Sequence, residues 1–128
     1  MFDRATRIAQ PQLGDDHPRV LVMLLNRARV QIARGQVAGT EATLRHVLDV
    51  RERLLSPDDW RIAQSKSVLG ASLMLQGRYA DAEPLMVAAA AGLKPIPGLQ
   101  DRERRANRGR LVTLYEKLGR RGDADKYR

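Results

Sequence analysis

The sequence contains no cysteine, which excludes disulfide staples, thiolate metal sites and thiol nucleophiles together. That absence suits a reducing cytoplasm, the expected location. Aromatic residues are few, one Trp, one Phe and three Tyr in 128 residues, so there is little on which nucleic-acid bases could stack. No uninterrupted apolar run approaches the roughly 18 to 20 residues that a membrane span needs. The opening MFDRATRIAQ carries an acid early and no long apolar stretch, which argues against a signal peptide. There is no Gly-rich nucleotide loop, HRD or DFG motif, and no Ser, His and acid arrangement recurs. Neither catalysis nor a cofactor is expected.

What the sequence does have is alanine, leucine and arginine, a helix-forming composition. At 128 residues it has the length of one domain, 1–128, able to bury a core unaided. The net charge of +8 is unevenly spread: residues 101–128 hold ten Lys and Arg against five acids, whereas 58–100 hold four of each.

The sequence repeats. Gly35, Gly77 and Gly119 stand 42 residues apart, and their flanks follow: VLGASLMLQGRYADAE (68–83) lies over NRARVQIARGQVAGTE (26–41) and RLVTLYEKLGRRGDAD (110–125). At the same offset LGDDHP (13–18) lies over the segment 54–60, Leu13 matching Leu55. Each unit reads as two helices, A and B, joined at the glycine, which takes a left-handed cap without strain. The A helices are expected over 18–34, 58–76 and 101–118, and the B helices over 39–55 and 79–93, with a third B helix barely begun. Ser56 and Pro57 are the expected start of the second A helix, as N-cap and first helical residue. The units are then 17–58, 59–100 and a partial 101–128, with 1–16 the end of a preceding B helix and its linker. The sequence starts and stops inside units, as a piece of a longer array or a short one with worn ends would. Gly70 with Ala82, and Val112 with Ala124, are the small pairs expected at close A–B crossings. Trp60 is expected to cover the junction between units, Tyr79 to plug the seam to the next helix, and Met74 and Met86 to fill core.

These residues resemble the tetratricopeptide repeat in its 42-residue, kinesin-light-chain form. Leu69 and Gly70, the run Gly77, Arg78, Tyr79, then Ala82 to Leu85, the linker Leu13 to Pro18, and Leu111, Tyr115, Gly119 and Ala124 carry the likeness. The stretch from Trp60 to Leu85 is also similar to arrays at the C-terminal end of bacterial serine/threonine kinases. The resemblance implies an all-α, right-handed α-α superhelix of about three helical hairpins, and a scaffold that binds proteins in a concave groove lined by the A helices. Asn26 matches the asparagine with which relatives hold a peptide backbone, but its equivalents are Val68 and Arg110. The rest of that face is Val22, Leu25, Arg29, Ile32 and Ala33, then Gln64, Ser67, Ala71, Met74 and Leu75. The third unit adds Ala106, Gly109, Thr113, Glu116 and Lys117. With Arg29, Arg110 and Lys117 towards its ends, an acidic peptide or the free carboxyl terminus of a protein is the suited guest.

Two other readings stand beside this one. Arg102, Arg104, Arg105, Arg108 and Arg110 share a helix and could meet nucleic acid, although Asp101 and Glu103 interrupt them. Alternatively Leu111, Leu114, Tyr115 and Leu118, expected to lie exposed at the last unit, could pair two copies as a homodimer. Asp15, Asp16 and His17 read as a capping turn rather than a metal site, and His46 as a surface partner of Asp49 one turn on.

Overall fold

Pro18 has no amide hydrogen, so it fits the first turn of a helix, where that hydrogen would lack an acceptor. In the computed structural model, which describes residue 14 and residues 16–128, it opens α1 (Pro18–Ala33). His17 caps the helix, its Nδ1 accepting Arg19 N at 3.1 Å. Then follow α2 (Thr40–Leu54), α3 (Trp60–Leu75), α4 (Tyr79–Gly92), α5 (Leu99–Lys117) and the short α6 (Arg121–Asp125). The described residues contain helices and no strand, the all-α class expected. Of the expected end of a preceding helix and its linker at 1–16, residues 1–13 and Asp15 lie outside the described residues.

The repeat is visible in the turns. Gly35, Gly77 and Gly119 have φ of 73°, 78° and 71°, the left-handed region where a Cβ is strained. Around each, two hydrogen bonds close the preceding helix. Gly77 N donates to Met74 O (2.9 Å) and Arg78 N to Leu73 O (2.9 Å), a pattern repeated by Gly35 with Gln36 and by Gly119 with Arg120.

One boundary differs from expectation. Ser56 and Pro57 do not start α3; Asp59 N donates to Ser56 O at 2.9 Å in a turn, and the helix begins at Trp60. Asp59 is the cap, accepting Arg61 N at 2.9 Å. It answers to His17, which caps α1 one unit earlier.

Each helix packs on its successor, and α1 also meets α3, and α3 meets α5. One cluster runs through all of them, from Leu25 and Leu44 through Leu69, Leu73 and Met86 to Leu111 and Leu114. At the crossing of α3 on α4 the packing requires a glycine. A Cβ on Gly70 would lie 2.5 Å from Met86 Cγ and 3.6 Å from Ala82 O, so only glycine admits Met86 there. Val112 and Ala124 pack in the same cluster. Thr40 is fully buried, yet its hydroxyl donates to Val37 O (2.7 Å) and lies 2.7 Å from Ser72 Oγ, which satisfies it between α2 and α3.

Two surface expectations are corrected. Trp60 packs on Ala63, Ala89 and Leu93, closing the open end of its own hairpin rather than a junction between units. Leu111, Leu114 and Tyr115 are not exposed: the first two are at 0% and Tyr115 at 4%. Ala124 and Tyr127 cover them, the Tyr127 ring stacking on Tyr115 at 6.1 Å. Of the apolar end expected to pair two copies, only Leu118 is left exposed.

Candidate binding groove

The first helices of the three hairpins, α1, α3 and α5, together with Tyr79 at the start of α4, enclose an open groove of about 510 Å³. Its small residues are Ala71, Ala106 and Gly109, and its larger apolar side chains are Ile32, Met74, Leu75 and Tyr79. Arg110, Thr113 and Lys117 are its polar members, and no carboxylate lines it. Helical spacing puts Ala106, Gly109, Thr113 and Lys117 on one face of α5, three or four residues apart.

Beside the groove, buried polar groups join these helices to one another. Arg29 Nη1 on α1 donates to Glu103 Oε1 on α5 at 2.6 Å, and Gln64 Nε2 on α3 donates to the same oxygen at 3.2 Å. Gln64 Oε1 in turn accepts from Arg51 Nη1 at 2.9 Å. Burial, with the neighbouring Arg61 charge second, draws the Arg51 guanidinium down to about 10, still charged at neutral pH. A second path joins Ser67, whose hydroxyl donates to Asn107 Oδ1 at 2.7 Å, to Asn107 Nδ2, which donates to Met86 O at 3.0 Å. Arg110 Nη1 donates to Ser67 Oγ at 2.7 Å, and burial lowers the Arg110 pKa.

At the hairpin turns an ion-pair motif recurs. Arg78 Nη1 meets Glu41 Oε1 at 2.7 Å while its Nε meets Asp81 at 3.1 Å. Forty-two residues on, Arg120 repeats both arms, to Glu83 at 3.0 Å and Asp123 at 2.8 Å. The Tyr115 hydroxyl also donates to Glu83 at 2.7 Å. That bond first, and Arg120 second, hold the Glu83 carboxyl below its ordinary value.

Of the residues expected on the binding face, Ile32, Ala71, Met74, Leu75, Ala106, Gly109, Arg110, Thr113 and Lys117 come together in the groove. The others are elsewhere. Leu25 is core, 2% exposed, and out of reach of any surface ligand. Gln64 and Ser67 are buried, and Arg29 is committed to Glu103. Asn26 is exposed on α1 outside the groove lining. Val22 is exposed too, and borders a small separate cavity with Leu21 and Leu54. Glu103 and Asn107 organise the A helices, yet in the sequence Glu103 stands out only as an interruption of the basic run and Asn107 not at all. Their signal lies in their places, one turn apart on the apolar side of α5.

The arginines of α5 are largely engaged. Asp101 holds both Arg104 and Arg105 at 2.9 Å, and Arg108 lies 5.8 Å above the Tyr127 ring. His46 Nε2 approaches Asp16 at 3.7 Å, whereas Asp49, its expected partner, pairs with Arg53 at 3.2 Å. Among the described residues no three His, Asp or Glu groups gather closely enough to hold a metal ion, and no helix is long and apolar enough to cross a membrane. No protein-family model matches the sequence, and no curated protein matches it significantly.

Proposed function

We propose that this protein is a non-catalytic scaffold of tetratricopeptide-like hairpins, a right-handed α-α superhelix of the cytoplasm, which binds a segment of another protein in the groove between α1, α3 and α5. What supports this reading most is Gly109. It sits inside α5 with helical backbone geometry, and a Cβ placed on it would meet nothing within 4 Å. Glycine within a helix costs about 0.5–1 kcal/mol relative to alanine. Gly70 and Gly92 have packing reasons for being glycine, since a Cβ would run into Met86 and Ala63 respectively. Gly109, and Gly122 in the short α6, have none in the fold itself, and of these two only Gly109 lines the groove. A binding site accounts for it: the space is kept for a guest, at the expense of stability.

The test is capture from nuclease-treated lysate on immobilised protein, comparing wild type with Gly109→Leu, which fills the groove, and with Asn26→Ala, outside it. Proteins retained by wild type and Asn26→Ala but lost by Gly109→Leu place binding in the groove. Equal retention by all three counts against it. Nucleic-acid binding is the weaker alternative, because Asp101 and Tyr127 already engage three of the five arginines it would use, Arg104, Arg105 and Arg108.

A further inference from the structure

Resting on that reading, we infer that the groove takes an amphipathic helix of a partner protein, seated by its apolar face and bearing acidic residues towards Arg110 and Lys117, rather than an extended peptide. The argument starts from the backbone of the guest. An extended segment brings one N–H and one C=O per residue, and each group it buries without a partner costs about 1–3 kcal/mol. The groove has little to give it. Its lining contains no Asn, Gln, Asp or Glu, and its only side-chain acceptors are the hydroxyls of Tyr79 and Thr113. The Thr113 hydroxyl already donates to Gly109 O at 3.1 Å. The amides that could have served, Gln64 and Asn107, are buried and bonded to Glu103, Arg51, Ser67 and Met86. Asn26 stands outside the lining and is not repeated at Val68 or Arg110.

A helix needs none of these partners, since its backbone bonds are internal. It asks instead for an apolar channel between helices with small residues where the axes approach, and Ala71, Ala106 and Gly109 supply them. Charge fixes the rest. Both ionic groups lining the groove are cations. Among the described residues Lys117 makes no hydrogen bond or ion pair, while Arg110 has its one hydrogen bond to the neutral Ser67 hydroxyl and feels the Glu103 charge without pairing with it. Acidic positions flanking the guest's apolar stripe complete them. A second copy of this protein is a poor occupant on the same grounds, because it carries a net charge of +8 itself.

The experiment uses the whole protein and a displayed library of random peptides about sixteen residues long, enough for roughly four helical turns. Enriched peptides are expected to carry apolar residues at i, i+3 or i+4, and i+7, with Asp or Glu between them, and to gain helical circular dichroism on binding. Their binding should be lost with Gly109→Leu, unchanged with Asn26→Ala, and weakened about two- to fivefold with Lys117→Glu. Gly109→Leu must first show wild-type helicity and at least wild-type thermal stability. Peptides that depend on Gly109 but alternate apolar and polar residues, are rich in proline, or stay extended when bound would overturn the helix while leaving the groove in place. Peptides indifferent to Gly109→Leu, or no enrichment at all, would overturn the groove reading and the helix with it.

Discussion

Gly70 and Gly109 are both helical glycines, and they do opposite work. Gly70 lets Met86 lie against the α3 backbone, whereas Gly109 leaves open space. Gly70→Ala should therefore destabilise the fold by about 1–3 kcal/mol, the usual cost of overpacking. Gly109→Ala should stabilise it by about 0.5–1 kcal/mol through backbone entropy and helix propensity. Urea titration of the two variants beside wild type checks both signs. Glu103 is the other decisive residue, 1% exposed and joined to Arg29 and Gln64. Arg29→Ala leaves that carboxylate short of its charged partner and should cost about 1–3 kcal/mol, read in the same titration. An effect within about 0.5 kcal/mol, typical of a surface change, would contradict a structural role for the bridge.

At the scale of the elements, the turns couple neighbouring hairpins through charge. Glu41 and Glu83 both lie below their ordinary carboxyl value of 4.5, Glu41 chiefly through Arg45 and Glu83 chiefly through Tyr115. A carboxyl with a depressed folded pKa binds fewer protons than the unfolded state does, so it stabilises above the ordinary value and loses that contribution as pH falls through the folded one. The melting temperature should thus drop below about pH 4.5, and Glu41→Gln with Glu83→Gln should flatten that drop while lowering the plateau at neutral pH. An unchanged acid limb in the double variant would show that other carboxylates carry it. Most of this level is legible in the sequence. Three glycines at one spacing, flanked by apolar helical patterns, give both the turns and the helices they end. The cap of α3 is easily misplaced, because Ser56 and Pro57 make a good local start signal. Setting His17 over Asp59 at the same spacing corrects it. The Arg78 and Arg120 motif is equally present in the repeat, but one partner of each, Glu41 and Glu83, lies 37 residues back, where local periodicity does not reach.

For the whole molecule, the proposed binding face is legible in outline and less so in depth. Spacing assigns Ala71, Met74, Thr113 and Lys117 to the exposed side of their helices. It cannot tell that Ser67, on the same face, is sealed under Arg110 and Asn107, because that burial arises from helices brought together across the fold. The C-terminal end teaches the same lesson. Five residues of α6 and one aromatic ring turn an expected apolar surface into core. Tyr127→Ala should cost about 0.5–1.5 kcal/mol from the lost ring pair, with more from uncovered area, and raise binding of a hydrophobic dye. The central claim, that the groove is kept open for a guest helix, is tested most directly at Gly109. Affinity for a library-selected peptide and thermal stability would be measured together for wild type and Gly109→Ala. A higher melting temperature with weaker binding is the predicted result. A higher melting temperature with unchanged binding would contradict the account, since the space at Gly109 would then serve no ligand.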